Sequence, residues 1–167
     1  MSTPRFSTCD LCDAHRDEPT LRVLPPVFHD YGGQAAFAGP VATVKCHEDN
    51  SLVKAALDSP GQGRVLVVDG GASLRQALVG GNLAAAAVKN GWAGIVVDGA
   101  VRDAAELRAA AVGIRALALV PLPTVKRQQG QAGGAVCIQG VTVQPGDWLY
   151  ADADGIVLTG QPLHPAD

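Results

Sequence analysis

Short apolar runs that close on Asp-Gly and alternate with Ala-rich stretches fill residues 64–120, and this alternation narrows the fold more than any other feature. Arg64-Val65-Leu66-Val67-Val68 leads into Asp69-Gly70-Gly71, and Ile95-Val96-Val97 leads into Asp98-Gly99. A continuous apolar run of that length, bounded by turn formers, reads as a strand buried on both faces. Leu117-Ala118-Leu119-Val120 is a third. Between them, Leu83 to Lys89, stopped by Asn90-Gly91, and Ala104 to Ala111 read as helices. The alternation predicts βαβ units around a parallel sheet.

The flanks complete the pattern. Residues 1–20 contain a short N-terminal helix, Val41-Ala42-Thr43-Val44-Lys45 alternates with the period of a strand, and Ser51 is placed to cap a helix from Leu52 to Leu57. In the C-terminal third, Ala135 to Gln139, Val141 to Gln144, Trp148 to Ala151 and Ile156 to Leu158 are short strands. Turn formers separate them at Gly140, Pro145-Gly146-Asp147 and Asp154-Gly155. Lys126 to Gly134 reads as a mobile loop. The predicted fold is α/β: one compact domain over residues 1–167, with a central parallel or mixed sheet, flanking helices and an antiparallel C-terminal β layer.

With 167 residues there is room for one domain, and 47% hydrophobic against 17% charged residues excludes wholesale disorder. Aromatics make up only 4%, so the core is built of Ala, Val and Leu and gains little burial per residue. Association between copies would supply the shortfall. The net charge of -3 is scattered, which argues against direct nucleic-acid binding. No apolar stretch reaches the roughly 18 residues of a membrane span, and the N-terminus lacks a signal-peptide run, so the chain reads as cytoplasmic.

The cysteines at 9, 12, 46 and 137 then read as free thiols. Cys9-Asp10-Leu11-Cys12 has no second Cys-x-x-Cys to complete a zinc site and no βαβ unit ahead of it, so the pair is read as the buried face of a helix capped by Ser7 or Thr8. Cys46 and His47, adjacent on a strand, point to opposite faces and do not share an ion.

Two strand-to-helix connections carry candidate chemistry, because ligands gather there in α/β proteins. Gly80-Gly81-Asn82-Leu83 puts glycines at a helix start, where free N–H groups and the positive end of the helix dipole suit a small carboxylate. It matches neither the P-loop nor the dinucleotide spacing. The second connection is Asp98-Gly99-Ala100-Val101-Arg102-Asp103. Arg102 offers a planar fork to a carboxylate, while Asp98 and Asp103 are hard oxygen ligands suited to Mg²⁺ or Mn²⁺. A cation beside a guanidinium describes a site for a 2-oxo acid. The plainer reading has Arg102 and Asp103 capping the helix that starts at Ala104.

These segments, with Asn90-Gly91-Trp92, Gly94-Ile95-Val96-Val97, Gly99-Ala100-Val101-Arg102-Asp103 and Tyr150-Ala151-Asp152, resemble the RraA family. That family joins regulators of ribonuclease E activity with 4-hydroxy-4-methyl-2-oxoglutarate aldolases. The resemblance runs from Asp10-Leu11-Cys12-Asp13 to Gly155-Ile156-Val157. It implies a ring-shaped homotrimer with sites near the subunit boundaries. It also implies a divalent-metal-dependent lyase that releases pyruvate by retro-aldol cleavage, with oxaloacetate decarboxylation as a side activity. On this sequence Gly80, Gly81, Asn82 and Leu83 would hold substrate oxygens, Arg102 would bind the keto acid catalytically, and Asp103 would hold the metal.

The aldolases it resembles carry Asp at the position that is Gly81 here, and that acid is thought to position a proton-relaying water. Its loss predicts weak turnover, by about 10² to 10⁴ fold. Asp98 is the expected partial substitute as a catalytic acid, and Gly81→Asp is expected to raise turnover. The same aldolases draw a further acid from a C-terminal extension, for which this sequence shows no counterpart. Three outcomes follow: a slow metal-dependent aldolase, a non-catalytic inhibitor docking on ribonuclease E, or the fold with no active site. The acidic balance suits a protein partner better than RNA.

Overall fold

The continuous apolar runs become the inner strands. The structure, a computed structural model, describes residues 5–163; residues 1–4, which the sequence reading assigns to the N-terminal helical region, and 164–167 lie outside the described residues. In chain order the elements are α1 (Thr8–Ala14), β1 (Arg22–Val23), β2 (His29–Asp30), β3 (Phe37–Lys45), α2 (Ser51–Leu57), β4 (Val65–Asp69), β5 (Ala77–Val79), α3 (Gly81–Lys89), β6 (Gly94–Val101), α4 (Ala104–Ala109), β7 (Gly113–Leu119), β8 (Gln131–Ala132), β9 (Val136–Ile138), β10 (Val141–Val143), β11 (Trp148–Asp152) and β12 (Gly155–Thr159).

The large sheet runs β1-β12-β11-β3-β4-β6-β7-β2, with β5 beside β6 and β8 beside β3. Its centre, β3-β4-β6-β7, is parallel, and so is the β5-β6 pair. The outer pairings are antiparallel. Every residue of β4 and β6 is buried, because both faces of these strands are covered. On one face Leu66, Val68, Ile95 and Val97 pack against Val53 and Leu57 of α2, Leu83 and Ala87 of α3, and Leu107 of α4. On the other, Val65, Val67 and Val96 join Val136, Ile138 and Val143 of the β9-β10 hairpin. On that face the Phe37 ring sits where Cβ atoms at Gly94 and Gly113 would be, 2.2 and 1.9 Å from its nearest carbons. Only glycine backbone admits an aromatic ring at that range.

Several expectations are corrected. The C-terminal strands are antiparallel as expected, but β11 pairs with β3 so that β11 and β12 extend the main sheet, while the β9-β10 hairpin forms a small sheet of its own. Asp98 to Val101 are not a loop but the end of β6, which continues past a register shift by pairing with β5. The α2 N-cap is Asn50 rather than Ser51, and the Asp49 carboxylate accepts from both the N–H and the hydroxyl of Ser51. In α1 the Ser7 cap is present, but the buried residues are Thr8 and Leu11, while Cys9 is exposed and Cys12 half-buried. Cys46 and His47 lie just past the end of β3 rather than on a strand; Cys46 is buried and His47 exposed, and burial pushes the Cys46 thiol up to about 12.

The stretch Lys126 to Gly134 is tied down rather than loose. Arg127 and Gln129 donate backbone N–H bonds to Asp49 Oδ2 at 2.8 and 3.2 Å, Gln128 N–H donates to the Ser51 hydroxyl, and β8 pairs with β3. Burial raises the Asp49 pKa, yet the hydrogen bonds from Ser51, Arg127 and Gln129 outweigh it and hold the carboxyl down at about 2. A depressed folded-state pKa stabilises fully above the unfolded value and is lost as pH falls through the folded one. Urea midpoints are therefore expected to drop between about pH 4 and pH 2. Asp49→Asn should flatten that drop and cost about 1 to 3 kcal/mol at neutral pH.

Candidate active site

Two chain turns meet at the carboxyl end of the sheet. The first follows β5: Gly80 is extended (φ -132, ψ -167) and opens α3 with no side-chain cap of its own. The second follows β6, where the Arg102 N–H donates to the Val79 carbonyl at 2.9 Å and pins the turns together. Asp103 then takes a left-handed conformation (φ 65, ψ 52), costly for a residue with a Cβ. That conformation divides its labour. The Asp103 carbonyl accepts the Leu107 N–H to start α4, while its carboxylate turns away and accepts the Gly81 N–H at 2.9 Å. An acid at the start of α3 also complements the helix dipole.

At Gly80, a Cβ would lie 2.8 Å from Asp103 Oδ2 and 3.3 Å from Arg102 Cγ, so only a glycine lets the turns approach this closely. Ala84 N–H closes the first turn of α3 on the Gly80 carbonyl, which leaves the N–H groups of Asn82 and Leu83 outside the helix's own ladder. Asn82 is exposed, whereas the Leu83 side chain belongs to the core. The Arg102 guanidinium is half-exposed; among the described residues its one hydrogen bond is a 3.4 Å contact from Nη1 to the Pro121 carbonyl, and it makes no ion pair. The structure thus gathers Gly80, Gly81, Arg102 and Asp103 around one opening, with the α3 start beside it.

Asp98 is elsewhere. Its side chain shares the sheet face of Val96, away from α3 and α4, and accepts from Gln139 Nε2 at 2.8 Å. It is buried beside Asp69, its register partner on β4, and burial, then the neighbouring Asp69 charge, raises its pKa against the pull of Gln139. A catalytic role at the Arg102 opening does not follow from that position.

The sequence reading missed Glu106. A Cβ on Gly81 would stand 1.7 Å from Glu106 Oε2 and 2.7 Å from its carboxyl carbon, so the Glu106 carboxylate fills the space a side chain at 81 would occupy. The acid absent from α3 is replaced in space by one from α4. The available signal was the spacing Asp103-x-x-Glu106, which puts Glu106 in the first turn of the helix that Asp103 opens, where an acidic side chain can reach back toward the helix start. Beyond Glu106 an open groove of about 560 Å³ runs between α3 and α4, lined by Gly81, Ala85, Val88, Ala109 and Ala110.

Comparison with known proteins now decides the relationship. The description "RraA-like: Aldolase/RraA" fits residues 8–158. The chain belongs to the Aldolase/RraA family. A relative in Albidiferax ferrireducens, provisionally named 4-hydroxy-4-methyl-2-oxoglutarate aldolase, is 63% identical over 96% of this chain and 99% of its own. The RNA-processing inhibitor RraA from Thermus thermophilis superposes with a TM-score of 0.92 at 45% identity, covering 98% of both chains. A Geobacillus kaustophilus protein titled S-adenosylmethionine: 2-dimethylmenaquinone methyltransferase superposes at 0.89 and 42% identity, over 95% of this chain and 97% of its own. Family names therefore span lyase, inhibitor and methyltransferase, and the side chains must choose among them.

A divalent cation is what the aldolase name implies. Among the described residues no three His, Cys, Asp or Glu side chains form a metal cluster. Two carboxylates, Asp103 and Glu106, do converge on Gly81. An oxygen-only set of one or two carboxylates, with water and substrate filling the remainder, is how Mg²⁺ is commonly held at a reacting centre. The donor set fits such an ion, and Asp103 would be the residue to hold it. No helix among the described residues is long and apolar enough to cross a membrane.

Proposed function

We propose that this chain is a divalent-metal-dependent lyase that cleaves 4-hydroxy-4-methyl-2-oxoglutarate to pyruvate, with oxaloacetate decarboxylation as a side activity. The observation that carries the reading is a guanidinium with no acidic partner among the described residues, at Arg102, beside the carboxylates of Asp103 and Glu106 at a glycine-lined helix start. Arg102 would take the substrate carboxylate in its planar fork. The N–H groups of Asn82 and Leu83 would face the substrate oxygens that gain negative charge. Glu106 would accept the proton of the 4-hydroxyl, directly or through one water, as the bond between carbons 3 and 4 breaks and its electron pair moves toward the 2-oxo group. The same carboxylic acid then returns the proton to carbon 3, leaving two molecules of pyruvate. When bound, Mg²⁺ or Mn²⁺ would polarise the 2-oxo group and stabilise the charge that develops there. Asp98 has no part in this scheme.

The relatives' aldolase name, carried at 57% to 63% identity, supports this reading. Its test is pyruvate release from either substrate with and without chelator, set against the Asp103→Ala variant. A second reading, a protein inhibitor of ribonuclease E, is favoured by the fold shared with the RraA inhibitor. Micromolar binding to a ribonuclease E scaffold without metal-dependent pyruvate release would select it.

A cytoplasmic homotrimer fits both readings. Leu119 at the end of β7, and Leu122 and Val125 on the segment leaving it, stand 46%, 57% and 58% exposed, next to Arg102's contact at Pro121. Such an apolar strip suits burial against a second copy. Light scattering should give a trimer mass for the native chain and a smaller one for Leu122→Asp; a native monomer would rule the assembly out.

A further inference from the structure

Asn50 stands at the N-cap position of α2 without a side-chain cap bond, and its side chain instead joins elements that shape the opening. Its Nδ2 donates to the Leu78 carbonyl at 3.0 Å, two residues before Gly80. Its Oδ1 accepts the Thr124 hydroxyl at 2.8 Å, and its own N–H donates back to the Thr124 oxygen at 3.4 Å. Thr124 is the one residue of 121–135 that is not exposed. The segment it anchors supplies the Pro121 carbonyl that receives Arg102 Nη1 and the Leu122 carbonyl that receives the Ala77 N–H. One amide therefore spans the strand feeding the glycine turn and the segment that orients the guanidinium.

We infer that Asn50, acting through Thr124 and the Leu78 carbonyl, is a positioning residue that sets Arg102 against the Gly80-Gly81 turn. The alternative supports are few. The 121–125 segment otherwise reaches the fold through an isolated bridge of Pro123 to Ala77 and through Gln76 Nε2 on the Pro123 carbonyl. The Asp49 bonds fasten the chain only further on, at 127 and 129. Asn50→Ala removes both arms of the clamp. Asn50→Asp keeps the acceptor for Thr124 and loses the donor to Leu78, and Thr124→Val breaks the other arm alone. Thr124→Ser keeps the hydroxyl and serves as the conservative rescue.

The inference rests on the lyase reading for its kinetic consequence, and its structural readout is independent of turnover. Amide hydrogen exchange reports the Gly81 N–H, which is protected by Asp103 Oδ2. In Asn50→Ala and Thr124→Val that amide is expected to exchange at least ~10-fold faster relative to the β6 amides of Ile95 and Val96, with Thr124→Ser within about twofold of the parent. If the native chain releases pyruvate, KM for the 2-oxo acid should rise ~10-fold, with a smaller change in kcat, because a displaced Arg102 weakens the grip on substrate. Equal acceleration at Gly81, Ile95 and Val96 would mean Asn50 only stabilises the fold, and Gly81 exchange unchanged in both variants would overturn the clamp. A native chain that releases no pyruvate refutes the lyase reading and leaves the exchange result to decide this one.

Discussion

Glu106→Gln is expected to lower turnover of pyruvate release by about 10² to 10⁴ fold, with little change in affinity for the keto acid. The amide keeps the size of the side chain and removes its capacity to take a proton, so the loss belongs in kcat rather than KM. The same geometry reverses the expectation for Gly81→Asp. A side chain added there meets Glu106 Oε2 at 1.7 Å from its first carbon, so the single substitution should depress activity instead of raising it. Combining Gly81→Asp with Glu106→Ala clears the space and supplies a carboxylate from α3, and should recover part of the lost turnover. Steady-state pyruvate release by all three variants checks this. An active Glu106→Gln enzyme at native rate would remove Glu106 from the chemistry.

Asp103→Ala is expected to abolish metal-dependent release altogether, a loss of about 10³-fold or more. Two functions leave together: the carboxylate offered to the cation, and the acceptor that holds the Gly81 N–H at 2.9 Å. Asp103→Asn separates them. The amide oxygen can still accept the Gly81 bond, so the turn should stay closed while cation affinity falls, and activity should return in part at raised Mg²⁺ or Mn²⁺. Titrating metal into both variants checks this; native activity in Asp103→Ala would dismantle the proposed site.

Strands buried on both faces were legible because nothing polar interrupts them: Val65 to Val68 and Ile95 to Val97 are read directly from the chain. Asp98 was misread for the complementary reason. A carboxylate followed by glycine looks like the end of a strand, and contacts with distant segments, Asp69 on β4 beside it and β5 and β7 beside the residues that follow, keep it inside the sheet. The Arg102-Asp103 pair was visible as a dipeptide, but not the left-handed turn that aims the Asp103 carboxylate at α3. Glu106 escaped because its significance lies in an empty volume above Gly81, and volumes are set by two helices meeting. The tether of the 126–134 stretch was hidden similarly, since Asp49 looks like an ordinary helix-start acid until its partners arrive from 78 residues away.

The ring of Phe37 lying flush on Gly94 and Gly113 couples three distant positions into one evolutionary unit. A relative that gains any side chain at 94 or 113 has to surrender the aromatic at 37 in the same step or pass through a misfolded ancestor. Substitutions across these sites should therefore appear as correlated exchanges when many members of the lineage are aligned, and single swaps should be missing.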